Sequence, residues 1–148
     1  MKQPFIAYLK DIGMAEPLIE RVSAIYDFYT KVLEVDIEHI LVTDTISEDN
    51  TRSFDSVWFF TAMHCLEAHR FVHEDSFDFS LTPRFVYWRA EKTSYDFEKA
   101  TTESRMKLTI SSETITGELR ASGKNCDYLR DVLLKWILPR SLPDPTHA

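Results

Sequence analysis

The chain has 148 residues, 44% of them hydrophobic and 28% charged, which is the size and balance of one globular domain with its own core. Only three glycines occur (Gly13, Gly117, Gly123), too few and too scattered for a Gly-rich loop that cradles nucleotide phosphates. Residues 1–83 carry 6 basic and 15 acidic side chains (net −9), against 11 basic and 8 acidic in residues 84–140 (net +3), and so acidic a first half argues against nucleic acid or anionic lipid as the main partner.

From the N-terminus, Pro4 to Ile12 reads as a short helix with Phe5, Leu9 and Ile12 on one face and Gly13 placed to end it. Lys10 and Asp11 interrupt any apolar leader there, and no segment reaches the roughly 18 apolar residues a membrane span needs. The implied setting is cytoplasmic. Pro17 opens a longer helix to about Leu33, whose broad stripe of Leu18, Val22, Ile25, Tyr29 and Val32 is suited to packing on a sheet.

After Glu34 the period changes. Ile37 to Ile46 is rich in the β-branched residues that fit a strand, and Ser47 to Thr51 is a polar turn. A second strand starts at Arg52 and enters Val57–His73, the longest apolar run, which holds three of the five histidines and one of the two cysteines. As helix, this run sets His69 and His73 on one face; as strand, it is a central sheet segment. The polar turn before it and the alternation after it favour strand. On that reading Trp58, Phe60, Ala62, Leu66 and Ala68 face the core, His64 sharing their parity, and Thr61, Cys65, Glu67 and His69 face the other way.

Phe77 and Phe79 alternate in a further strand, and Phe85 to Phe97 forms another, with Val86, Trp88 and Ala90 opposite Arg89, Glu91 and Thr93. Arg105–Ile110 and Ile115–Ala121 make a hairpin. Folding it about Ser112 and Glu113 pairs Ile110 with Ile115, Met106 with Leu119 and Lys107 with Glu118. Gly123 ends the last strand. Asn125 is placed as the N-cap of a helix from Cys126 to about Leu138, with Cys126, Leu129, Val132, Leu133, Trp136 and Ile137 on its apolar face and Pro139 at its end.

These elements define one α+β domain over residues 1–140: a helical part (1–35), an antiparallel sheet (36–122), a C-terminal helix (125–138), and a tail at 141–148. The sheet is curved, or a small partly open barrel, with two N-terminal helices and one C-terminal helix; the alternative is a cone-like α+β sheet with helices on one face. Several antiparallel strands, a last tight hairpin and a closing amphipathic helix over residues 37–138 resemble the pleckstrin-homology and GRAM superfold by order of elements. Phosphoinositide-binding members of that superfold place Lys and Arg around the first hairpin. Here the turn reads Ser47-Glu48-Asp49-Asn50-Thr51 with Arg52 alone beyond it, so the resemblance implies a protein-binding member instead.

Two residue groups are candidates for chemistry or binding. Cys65, Glu67, His69 and His73, within the His64–His73 cluster, could ligate a metal ion, because the even spacings share a strand face and His69–His73 is an i,i+4 pair on a helix. The stretch lacks the helical HExxH context of zinc hydrolases, and no other cofactor is implied. Tyr87, Tyr95 and Phe97 fall partly on the polar side of their strand and could form a binding patch. Cys65 and Cys126, with no CxxC spacing, read as reduced, buried thiols. The functional expectation is a non-enzymatic protein-binding or scaffold module, with self-association through a sheet edge or the first helix. The alternative is a small metal-assisted or acid–base enzyme using the His64–His73 cluster.

Overall fold

The computed structural model describes residues 2–46, 51–62, 64–72, 77–81, 87–93, 104–111 and 116–141, with backbone alone at 64, 77–81, 87, 88, 92 and 93. Helix α1 spans Lys2–Asp11 and buries Tyr8 and Leu9. It closes in a Schellman turn: the N–H of Gly13 reaches the Lys10 carbonyl at 3.0 Å and that of Met14 the Leu9 carbonyl at 3.1 Å. Gly13 sits at φ 81°, a left-handed conformation that side-chain-bearing residues adopt only at a cost. Helix α2 (Glu16–Asp27) begins with Pro17 in its first turn and continues through Phe28–Val32 in wider π-helical winding.

Two antiparallel sheets follow. One has the order β1 (His39–Ile46), β2 (Arg52–Phe60), β3 (His64–Ala68), β4 (Phe77–Leu81); the other has the order β5 (Tyr87–Thr93), β6 (Arg105–Ser111), β7 (Thr116–Ser122). Helix α3 (Asn125–Val132) runs on through a π-helical segment, Leu133–Ile137, and a last 3₁₀ turn, Leu138–Arg140, that includes Pro139. The architecture is α+β with antiparallel sheets, two N-terminal helices and one C-terminal helix. Among the described residues no hydrogen-bonded ladder joins the two sheets into a closed barrel. No helix there is long and apolar enough to cross a membrane.

The four-stranded sheet is a middle layer. Ile40, Val42, Val57, Phe59, Leu66 and Ala68 pack against α1 and α2, through Leu9, Ile12, Val22, Tyr26 and Tyr29. Leu41, Trp58, Phe60 and Cys65 pack on the other side against Leu108, Ile110 and Leu119 of the second sheet and Leu129, Val132 and Trp136 of the C-terminal helix. Helices therefore cover both faces of this sheet, unlike the cone-like alternative.

This layering corrects the reading of Val57–His73. The run is two strands joined at residues 61–63, with Phe60 opposite Cys65, Phe59 opposite Leu66 and Val57 opposite Ala68. The break between the strands resets the alternation, so Leu66 and Ala68 share a face with Phe59, while Cys65 joins Trp58 and Phe60. His69 lies beyond the strand, in the turn that follows it.

The last hairpin also departs from expectation. Its register pairs Met106 with Ala121, Leu108 with Leu119, Ile110 with Gly117 and Ser111 with Thr116, two residues away from the anticipated pairing. An even shift leaves every side chain on its expected face, so the apolar pattern could not distinguish the two registers. Lys107 faces Arg120 directly and meets Glu118 only diagonally, at 4.0 Å. Ala90, placed with Val86 and Trp88 opposite the charged side chains of its strand, is exposed. Residues 47–50, 85–86, 94–97 and 112–115, which carry the first turn, both ends of the anticipated Phe85–Phe97 strand and the hairpin loop, lie outside the described residues.

Candidate functional site

Strand β1 is the outer strand of its sheet, and at Val42 side chains replace the missing neighbour. The Val42 N–H donates to the Tyr8 hydroxyl oxygen at 2.8 Å, and the Val42 carbonyl accepts from Asn125 Nδ2 at 2.7 Å. Tyr8 O–H in turn donates to Asn125 Oδ1 at 2.7 Å. Burial pushes the Tyr8 phenol well above its ordinary pKa, which keeps it a donor. Asn125 therefore does not cap its helix. It is fully buried, the cap position is Lys124, and no side chain caps that end. A buried amide in reach of a carbonyl, a hydroxyl and a carboxylate has better partners than the helix N-terminus.

The carboxylate is Asp44, whose side chain is sealed from solvent. Four donors converge on it. Oδ1 accepts from Asn125 Nδ2 at 2.8 Å and from the Ser122 N–H at 3.1 Å; Oδ2 accepts from Arg52 Nε at 2.9 Å and from the Ser122 hydroxyl. Arg52 Nη1 continues to the Ile12 carbonyl at 2.5 Å. A buried charge persists only when paired and hydrogen-bonded, and Asp44 is both. The carboxylate thereby ties β1 to β7, β2 and α3, and through Arg52 to the turn after α1, where no ladder among the described residues runs between the sheets.

Beside Asp44 the seam opens into a cleft of about 260 Å³. Its walls include Asp44, Thr45 and Ile46 of β1, Glu91 of β5, Arg105 and Lys107 of β6, and Arg120 and Ser122 of β7. Most of the charge there is matched. Lys107 lies 3.6 Å from Glu91, and Arg120 Nη2 is 2.8 Å from Glu118. Arg105 differs: its Nε and Nη2 are shielded from solvent and have no hydrogen-bond partner among the described residues.

The residues expected to bind a metal are placed less favourably. Cys65 is buried in the core beside Trp58 and Phe60, and burial in that apolar setting raises its thiol pKa, which holds it protonated. Glu67 and His69 come together, with Nδ1 to Oε2 at 3.4 Å. His73 lies outside the described residues, and so do Tyr95 and Phe97 of the aromatic patch; of Tyr87 only the backbone is described. Among the described residues no group of three or more His, Cys, Asp or Glu converges as a metal site. Both cysteines are buried and neither is in a disulfide, and the Cys126 thiol lies 3.5 Å from the carbonyl oxygens of Ser104 and Ala121.

Asp44, Asn125 and Arg105 were not anticipated as a site. One signal was available: Asp44 is the sole acidic residue in the strand His39–Ile46, and Arg52 opens the next strand. Comparison of the chain with protein-family models, with curated proteins and with solved structures gave no match.

Proposed function

We propose that this chain is a non-enzymatic, protein-binding module of the cytoplasm, a single unit built like the pleckstrin-homology and GRAM domains. A four-strand meander, a three-strand meander and a closing helix that packs against both sheets support the architectural part of this reading. The observation that carries the binding part is the apolar surface at the end of the second helix. Phe28, Val32 and Leu33 are 38%, 65% and 40% exposed, and Val32 and Leu33 follow Phe28 by four and five residues, about one turn of the π-helical winding that ends at Leu33. A second copy of the chain is the first partner to test, because a patch on one helix can meet its own image about a two-fold axis.

Light scattering over a concentration series is the test. The expected result is a mass that rises toward twice that of the monomer for the wild type and stays at the monomer value for Val32→Asp. A wild-type chain that remains monomeric throughout would defeat self-association through this patch. A metal-assisted enzyme is the second reading, and the Glu67–His69 contact favours it. Stoichiometric metal in untagged protein, lost on His69→Ala, would support that reading; metal-free protein of unchanged stability would count against it.

A further inference from the structure

We infer that the seam cleft is an oxyanion site in which Arg105 takes a carboxylate or phosphate group through the Nε–Nη2 edge of its guanidinium. This inference stands apart from the partner-binding reading and does not need it.

The two nitrogens without partners are not a random pair. Nε–H and one Nη2–H run parallel along the same edge of the planar guanidinium, the fork that matches two oxygens of one carboxylate or phosphate. Arg120 turns the same two nitrogens to a single oxygen, Oε2 of Glu118, at 3.2 and 2.8 Å. In Arg105 the equivalent fork is unmet among the described residues. Charged donors shut away from water and left unpaired are unfavourable, and an incoming oxyanion relieves both at once.

The surroundings fit an anion. Asp44 beside Arg105 is already matched by Arg52, Ser122 and Asn125, so its charge is largely taken up. Glu91 is held by Arg89 at 2.8 Å and by Lys107 at 3.6 Å. Size narrows the ligand: about 260 Å³ is below the roughly 300–1,000 Å³ of ordinary small-molecule pockets. The cleft suits one anionic group of a small molecule and not a bulky cofactor.

The test is a titration of the ¹⁵N-labelled full chain with inorganic phosphate, and separately with succinate, at ionic strength held constant with sodium chloride. The arginine Nε–H signals are followed together with the backbone amides of Thr45 and Ser122. Expected is a saturable shift of the Arg105 Nε–H, with a midpoint in the millimolar range for a single fork, while Arg130, which pairs with Asp127 on α3, does not respond. The stronger of the two responses names the ligand class, tetrahedral phosphate or planar carboxylate, and either supports the site. Arg105→Gln should abolish the amide shifts, and Arg130→Gln, on α3 away from the cleft, should keep them. If Arg105→Gln does not fold, Arg105→Lys keeps the charge without the fork and should weaken binding by about tenfold. An Arg105 signal that stays still for both anions, or amide shifts undiminished in either Arg105 variant, would overturn the inference.

Discussion

Replacing Asn125 by Ala tests whether the buried polar seam holds the layers together. The variant loses three hydrogen bonds, to Tyr8, to the Val42 carbonyl and to Asp44, each between 2.7 and 2.8 Å. A neutral buried bond contributes roughly 1 kcal/mol net and one to a charged group roughly 2, so the three together give about 4 kcal/mol. Tyr8 and the Val42 carbonyl are left with poorer bonding, while Asp44 keeps Ser122 and Arg52. Stability of a small domain is only about 5–15 kcal/mol in total, so this loss is large. Had Asn125 been a helix N-cap, the same substitution would cost only about 1 kcal/mol. Urea unfolding followed by tryptophan fluorescence separates the two, provided the slope of free energy against urea is unchanged. A loss near 1 kcal/mol would refute the network argument.

Tyr8, Tyr29 and Cys65 all have pKa values raised by burial, so each favours the folded state fully below its unfolded pKa, roughly 8.5 for the thiol and 10 for the phenols, and this contribution fades as pH climbs above it. The urea midpoint should therefore fall steadily between pH 8 and 11, and a flat profile would contradict it. Gly13→Ala should lose about 1 kcal/mol through backbone strain alone, since the added carbon would meet Arg52 Nη1 at an ordinary 3.9 Å; a thermal midpoint equal to wild type would count against the left-handed turn. Trp136→Phe keeps an aromatic ring near Phe60 but removes the Nε1–H donation to the Thr61 carbonyl at 2.8 Å, with an expected loss of about 2 kcal/mol in the same urea assay.

The helices and the last hairpin were legible because each has one covered face and one wet face, which prints a period of 3.6 or 2 into the sequence. Pro17 and Gly13 marked their boundaries by conformational limits that belong to those residues alone. The middle layer was not legible for the opposite reason. With both faces buried, Val57–Phe60 is a continuous apolar run, and the sequence between β2 and β3, Thr61-Ala62-Met63, has no Gly, Pro, Asn or Asp to announce a break. The hairpin register was hidden because a two-residue slip preserves every face. The seam was hidden because its partners are remote: Asn125 has the local signature of a cap, yet its three partners lie 81 to 117 residues away.

The bond between Tyr8 and Asn125 joins positions 117 apart, nearly the full span of the described chain. On a growing polypeptide α1 is made first and α3 last, and the hydroxyl of Tyr8 waits for its acceptor until almost everything else has been synthesised. Closing so long a loop is slow, and contacts of that separation delay folding more than they alter its final stability. Until then the middle sheet shows apolar surface on the side that α3 will cover, as an edge-open intermediate that invites association with other chains. The same contact that completes the native state thus sets a window of vulnerability during synthesis, which ends only when the C-terminal helix docks.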